Sequence, residues 1–451
     1  MSEPPVRFGT DGVRGRANTV ITPELVLALG RAAGSTLGDG PVLIGRDPRR
    51  SGSLLESALA AGLAAEGRDV VRVGVTSTPA LAWLAARDGV AAAMLSASHN
   101  PFGDNGVKLF APGGTKLGDD QQADLERVLG VLYADRPAPE PADAAVGAVT
   151  DHPDPHSAYL AWLGERLEGR DLTGLRLVVD CANGSASAIA PIALRATGAD
   201  VVVVAAEPDG VNINRNVGST APDLLSRRVL DEGAHLGLAL DGDADRLLAV
   251  DERGRLVDGD HLLALFAADL RARGRLADDT VVVTVMSNLG FRLAMQEAGV
   301  EVVETPVGDR HVLAELEANR WSLGGEQSGH LVFRDLATTG DGLLSGLLLC
   351  DLVRRSGRPF GELADEAMTQ LPQVLVNVAV DAAAIDLDET LGPDLADVEH
   401  ELGERGRVLV RPSGTEPVVR VMVEAPTETA ARAAADRLAA VLRASPAALS
   451  S

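Results

Sequence analysis

Two serines, a histidine and a lysine stand close together in Leu95-Ser96-Ala97-Ser98-His99-Asn100-Pro101-Phe102-Gly103-Asp104-Asn105-Gly106-Val107-Lys108. A serine in such company can act as a nucleophile or carry a phosphoryl group, with His99 and Lys108 to orient it or move its protons. The competing reading is a plain turn set by Asn100-Pro101 and Asn105-Gly106. A second chemical set is Asp241-Gly242-Asp243-Ala244-Asp245-Arg246. Three carboxylates at alternate positions repel one another unless a cation or several donors compensate them, which points to a divalent metal. In an extended strand such side chains lie about 6.5–7 Å apart, so the glycine must let the chain curl. An EF-hand is rejected: Glu252 falls at its twelfth position, but Arg246 replaces the turn glycine and both flanks read as strands. Hard oxygen ligands in small number suit Mg2+ completed by a phosphate oxygen, the alternative being a hairpin of surface aspartates.

Three more segments carry polar chemistry. Gly324-Gly325-Glu326-Gln327-Ser328-Gly329-His330 sets a carboxylate, an amide and a hydroxyl between glycines, suited to a polyol or amine ligand. His330 is either a proton carrier or an ordinary loop histidine. Arg411-Pro412-Ser413-Gly414-Thr415-Glu416-Pro417 forms either an anion cup, to which Arg420 adds a second guanidinium, or a simple β-turn. Phe8-Gly9-Thr10-Asp11-Gly12-Val13-Arg14-Gly15 either folds its amides around an anion or closes a sheet edge. Lysine occurs only at Lys108 and Lys116, arginine supplying every other cationic side chain. A compact amine with a tunable pKa is what guanidinium lacks, and this favours Lys108. Lys116, after Gly113-Gly114-Thr115, reads as a hairpin surface residue.

The elements that must position these groups alternate in period. The apolar run 90–95 reads as a short buried strand leading into the serine loop, at a sheet end where open α/β sheets keep their chemistry. Before it come helices over 22–37, 53–66 and 79–87 and strands over 42–44 and 70–73, a βαβ series that predicts a mostly parallel sheet. Residues 137–155, rich in Ala, Pro and Asp, read as a connector. A second α/β unit holds a strand over 175–180, a helix over 186–197 and strands over 201–205 and 236–240. A third runs over 258–371, and a last unit with strands over 374–380, 408–410 and 418–423 ends in a helix over 428–443. The expected division is 1–150, 151–256, 257–371 and 372–451.

Composition narrows the class. The 451 residues are 46% apolar, ample for several cores, and a net charge of −24 argues against nucleic acid or an anionic membrane as partner. No apolar run approaches a bilayer span, and the start Met1-Ser2-Glu3-Pro4-Pro5 has no targeting character, so a cytoplasmic protein is expected. Cys181 and Cys350 sit in apolar runs and read as buried thiols.

Taken together, the segments at 8–15, 96–101, 241–246, 325–330 and 411–417 resemble, in order and separation, those of the α-D-phosphohexomutase superfamily. The resemblance covers essentially the whole chain. Gly325 to His330, with Val307-Gly308-Asp309-Arg310, is similar to the phosphoglucosamine mutase branch. The resemblance implies an α/β fold of four domains around a central cleft, three similar α/β domains followed by a C-terminal α+β domain. It implies that Ser98, rather than Ser96, carries the phosphoryl group, and that Asp241, Asp243, Asp245 and a Ser98 phosphate oxygen hold Mg2+. Glu326 and Ser328 would hold sugar hydroxyls or the 2-amino group, and Arg411, Ser413, Gly414 and Thr415, with Arg420, the distal phosphate. Lys108 and His330 would move protons, supported by Arg14, Arg246 and His99. The activity implied is interconversion of glucosamine 6-phosphate and glucosamine 1-phosphate through a hexose 1,6-bisphosphate, by a monomer or homodimer supplying cell-wall precursors. The same chemistry on glucose or mannose phosphates, a Mg2+-dependent sugar phosphatase and a silent sugar-phosphate-binding protein are the rivals.

Overall fold

A computed structural model describes residues 7–9, 11–135, 143–380, 385–412 and 418–445. The chain divides into two compact units, Met1–Met286 with Val300–Asp365, and Ser287–Gly299 with Glu366–Ser451.

The larger unit contains three sheets. The first has the strand order Val13–Arg16, Asp104–Ala111, Ala91–Leu95, Val42–Arg46, Val70–Val75, Val149–Asp151, with Thr115–Lys116 added alongside Asp104–Ala111. Alternate side chains of Ala91–Leu95 go to opposite faces, as strand geometry requires. Ala91, Ala93 and Leu95 join the core made with helices Pro23–Thr36 and Gly52–Ala65, while Ala92 and Met94 join that made with Thr78–Asp88. The two helix starts that frame this sheet are capped by Thr22 and Ser77, whose hydroxyls accept from the amides of Leu25 and Ala80.

The second sheet runs Leu256–Val257, Leu247–Asp251, Leu236–Leu240, Arg176–Asp180, Asp200–Val204, and the third Glu301–Thr305, Thr280–Thr284, Leu323–Gly325, Leu331–Phe333. One feature recurs in all three. A strand paired in parallel with its neighbour runs into a short loop, and the chain then returns antiparallel to it. These loops are 96–103, 241–246 and 326–330, three of the five segments in which the sequence concentrates its chemistry.

The first sheet is accordingly less parallel than its βαβ pattern predicts, because Asp104–Ala111 pairs antiparallel with both Val13–Arg16 and Ala91–Leu95. The expected connector also contains an edge strand, Val149–Asp151, parallel to Val70–Val75. All three of its residues are exposed, and so short a strand offers no period to read. Cys181 and Cys350 are buried free thiols.

The smaller unit contains a sheet ordered Gln373–Ala379, Val418–Glu424, Arg407–Pro412, all antiparallel, with helices Leu387–Leu402 and Glu428–Ala444 packed on it. Helix Leu289–Glu297 belongs to this unit, its Leu289 amide donating to Glu424 Oε2 at 2.8 Å. No helix among the described residues is long and apolar enough to cross a membrane.

Within the larger unit, helix Ser157–Glu165 is tied to helix Gly342–Ser356 by a fully buried contact. Tyr159 Oη donates to Asp341 Oδ2 at 2.7 Å, and Asp341 Oδ1 caps its helix by accepting the Leu344 amide at 2.9 Å. Burial lifts the Asp341 pKa from 3.8 to about 6 despite these donors. Its contribution to stability is therefore full below about pH 4 and lost as pH rises through about 6. Tyr159→Phe is expected to cost about 1–3 kcal/mol by denaturant unfolding above about pH 7, and less below about pH 5 where Asp341 is protonated. A deficit independent of pH would contradict this role for the hydroxyl.

Candidate active site

The serine loop is held by a side chain far from it in sequence. Arg49, 1% exposed, donates from Nη2 to the carbonyls of Ser98 and Asn100 at 2.8 Å each and from Nη1 to those of Asp104 (3.1 Å) and Pro101. Its Nε donates to Asp47 Oδ2 at 2.8 Å, and that oxygen also accepts from Ser96 Oγ at 2.7 Å. Ser96 Oγ accepts the Ser98 amide at 2.9 Å in turn, so Ser96 is part of the scaffold. Asn214 adds a donor to the Ser98 carbonyl at 2.8 Å. These bonds hold Ser98 at φ +48, a conformation costly for a residue with a side chain.

The result is that Ser98 Oγ faces the aspartate loop, donating to Asp241 Oδ2 at 2.5 Å with His99 Nδ1 at 3.3 Å. Gly242 makes this approach possible, since a Cβ there would lie 2.5 Å from the Ser98 carbonyl oxygen. The turn through Ala244, at φ +60, curls the loop so that one oxygen from each of Asp241, Asp243 and Asp245 lies within 4.8 Å of the others. Thr78 Oγ1 donates to Asp243 Oδ2 at 2.6 Å. Asp243 Oδ1 and Asp245 Oδ1 are buried without a hydrogen bond. Buried carboxylate oxygens that lack a donor, grouped with a third carboxylate and a serine hydroxyl, fit a hard divalent cation such as Mg2+.

Lys108, 3% exposed, puts its ammonium among three carboxylates: 2.9 Å from Asp11 Oδ2, 2.8 Å from Asp243 Oδ2 and 2.8 Å from Asp245 Oδ2. Burial pulls its pKa down, but these neighbours outweigh burial and hold it well above the ordinary lysine range. Burial also pushes the carboxyls up. For Asp241 repulsion from Asp245 and Asp243 adds to that, whereas for Asp245 the Lys108 and His330 charges overcome it and the pKa falls. Burial, then Arg246 and Arg14, press His99 down to about 4. Arg14 pairs with Asp11, and Arg246 Nε lies 4.0 Å from Asp245 Oδ1.

His330 joins this group from the third sheet. Its Nδ1 is 3.9 Å from Asp245 Oδ1, and its Nε2 is 3.5 Å from Asp309 Oδ2 and 3.1 Å from the Gly340 amide, a bond that the neutral ring accepts. Burial lowers the imidazole pKa, but the two carboxylates outweigh it and the net direction is up. In the same loop Glu326 Oε1 accepts the Gly308 amide at 3.1 Å, and Ser328 Oγ lies 3.5 Å from Glu326 Oε2.

Lys116 is not the surface residue its hairpin suggests. Its ammonium bridges Asp11 Oδ1 (2.7 Å) and Asp309, with the side chain only 11% exposed. The hairpin docks on the third-sheet region, where Thr338 Oγ1 donates to the Gly114 carbonyl at 2.7 Å, a tertiary contact that local composition does not reveal. These groups thus close a ring in which carboxylates alternate with basic side chains: Lys108, Asp11, Lys116, Asp309, His330, Asp245, the imidazole contributing a charge only when protonated.

In the smaller unit Arg411 and Arg420 are direct cross-strand partners. Burial and then the facing Arg420 lower the Arg411 pKa. Ser413, Gly414 and Thr415 lie outside the described residues. Sequence reasoning missed Asp47, Arg49, Asn214, Thr78, Asp11 and Asp309 as parts of the site. Asp47 and Arg49 lie in the turn between strand Val42–Arg46 and helix Gly52–Ala65, and Asp11 in a glycine-rich loop.

Family models of phosphoglucomutase/phosphomannomutase match in succession: alpha/beta/alpha domain I over residues 5–130, domain II over 157–254, domain III over 258–371 and the C-terminal domain over 375–441. The chain belongs to this phosphohexomutase family. Among its members, phosphoglucosamine mutase of Frankia alni is 54% identical over 97% of this chain and 98% of its own, and that of Thermobifida fusca 51% over 97% and 98%. A phosphoglucomutase/phosphomannomutase family protein from Burkholderia thailandensis shares the fold of this phosphohexomutase at a TM-score of 0.82 and 26% identity, covering 100% of this chain and 99% of that one. N-acetylphosphoglucosamine mutase of Aspergillus fumigatus, solved with GlcNAc-6P and magnesium, shares it at 0.70 and 21% identity over 97% and 95%.

Arg49→Met would strip Asp47 of its buried counter-charge and the serine loop of four donor bonds. The expected cost is about 3–5 kcal/mol in denaturant unfolding. A variant as stable as the parent would show that the loop does not depend on this guanidinium.

Proposed function

We propose that this phosphohexomutase interconverts glucosamine 6-phosphate and glucosamine 1-phosphate, with Ser98 as the phosphoryl carrier. The observation that carries the mechanism is the Ser98 hydroxyl on Asp241 beside two donorless carboxylate oxygens, Asp243 Oδ1 and Asp245 Oδ1. The amino-sugar substrate is supported by relatives named phosphoglucosamine mutase, about half identical over nearly the full chain.

In the first half-reaction the phosphoserine P–O bond breaks as the C1 hydroxyl oxygen of glucosamine 6-phosphate bonds to phosphorus. The hydroxyl proton leaves to a base of the site, and Ser98 regains its own proton as it is released. The bisphosphate then turns over, and the phosphoryl group at C6 returns to Ser98. Lys108 and His330 move these protons. Lys108 is charged at rest, His330 accepts an amide when neutral, and both face Asp245, so a proton gained by one alters the other. Asp241, Asp243, Asp245 and a phosphoserine oxygen would hold Mg2+, which when bound supplies positive charge to the transferring group. Arg246 adds guanidinium charge beside Asp245, and Arg14 adds it beside Asp11. Glu326 and Ser328 hold the sugar in both orientations. Arg411, Ser413, Gly414, Thr415 and Arg420 clamp whichever phosphate is not reacting, within a C-terminal domain spanning 372–451 after domains 1–150, 151–256 and 257–371.

Ser98→Ala is expected to abolish isomerisation while leaving thermal unfolding unchanged, and peptide mapping of the active parent should find phosphate on Ser98. Turnover of glucosamine 6-phosphate should exceed that of glucose 1-phosphate and mannose 1-phosphate. Preference for a neutral hexose would move the substrate, and release of inorganic phosphate would identify a phosphatase. Chelation by EDTA should stop turnover and added Mg2+ restore it; activity that survives chelation would remove the metal from the reading.

A further inference from the structure

The ring of carboxylates and basic side chains contains one ammonium that touches neither the aspartate triad nor the serine. Lys116 joins Asp11, in the N-terminal loop, to Asp309, the first residue of helix Asp309–Asn319. The residue before Asp309 is Gly308, at φ +127 and ψ 129, a conformation closed to other residues, and its amide is the donor to Glu326 Oε1 at 3.1 Å. Gly308 has no capping side chain to steady it. What steadies the turn instead is ionic. Lys116 grips Asp309 from one side, and on the other Arg310 Nη1 reaches Gln122 Oε1 and Asp119 Oδ1 at 2.7 Å each. Asp119 is 81% exposed, so that pair is weak, whereas Lys116 and Asp309 are both largely buried.

We infer that Lys116 is a positioning residue for the sugar: through Asp309 it fixes the Gly308 amide, and through that amide it aims the Glu326 carboxylate at the amino-sugar hydroxyls. The inference rests on the mutase reading of the same site. Without the ammonium, Asp309 keeps only His330 as an ionic partner among the described residues, the turn at Gly308 relaxes, and Glu326 loses the donor that orients it. The consequence falls on sugar binding. Ser98, its carbonyl clamp and the aspartate triad do not touch Lys116.

The test is a double-mutant cycle read by steady-state kinetics and by calorimetric binding of glucosamine 6-phosphate. Lys116→Met should raise KM about tenfold with kcat within about threefold of the parent, a split that general destabilisation does not produce. Lys116→Arg, which keeps a cation able to span both carboxylates, should recover most of that loss. In a Glu326→Ala background, Lys116→Met should weaken binding by less than about twofold, because the two act along one route. Unchanged KM in Lys116→Met, or additive binding losses in the cycle, would overturn the inference and leave the mutase reading standing. A parent chain that does not isomerise glucosamine 6-phosphate would overturn both. If Lys116→Met does not fold, Asp309→Asn breaks the same link from its other end and must show the same KM increase and the same dependence on Glu326.

Discussion

Asp11, Asp241, Asp243 and Asp245 crowd into one largely buried space around Lys108, and the arrangement of the larger unit answers to that concentration of negative charge. Taking carboxylates out of water is expensive, and placing them side by side adds repulsion. The opposite shifts of Asp241 and Asp245 show how local the compensation is: the Lys108 ammonium reaches Asp245 Oδ2, whereas Asp241 accepts from the serine hydroxyl and the Arg246 amide and has no ammonium against it. The remaining oxygens fit a divalent cation, which would complete the balance when bound. The ammonium ions of Lys108 and Lys116 are the compact, buried part of that balance. Arginine, which serves everywhere else in the chain, has a planar fork poorly shaped for sharing among three converging carboxylates.

The second constraint is topological. Each of the three sheets places a loop between a strand paired in parallel and the antiparallel strand that follows, so the serine, the aspartates and the Glu326–His330 segment occupy the same place in three related units. A loop at that place is anchored on both sides by a sheet ladder, which makes it short and stiff. Stiffness alone does not hold Ser98 at a positive φ. Arg49 does so by collecting four carbonyl oxygens of the loop, and because it is itself paired with Asp47 its charge is balanced where water is absent. The same logic extends to the third sheet, where a buried ion pair and a glycine turn control the direction of one carboxylate.

Much of this was legible without coordinates. The alternation of helix and strand periods and the three loops were written in local composition, because each depends on residues within a few positions of one another. The spacing Asp-x-Asp-x-Asp pointed to a cation and a curled loop, but the left-handed residue of that curl is Ala244, and Gly242 instead admits the Ser98 carbonyl. Resemblance across the whole chain then separated Ser98 from Ser96, a choice that residue chemistry had left open. Tertiary structure alone decided the rest. That Ser96 belongs to the scaffold, that Lys116 is buried between two carboxylates, and that Arg49 holds a loop some fifty positions away all follow from side chains meeting across elements. The sheet returned antiparallel at 104–111 for a similar reason, since strand direction is settled by where the chain must go to bury both faces of Ala91–Leu95. Local sequence determines what each segment can form and which groups it carries. Which buried charge faces which is set by packing, because Coulomb energy in a poorly solvated interior depends on distances that only the fold defines.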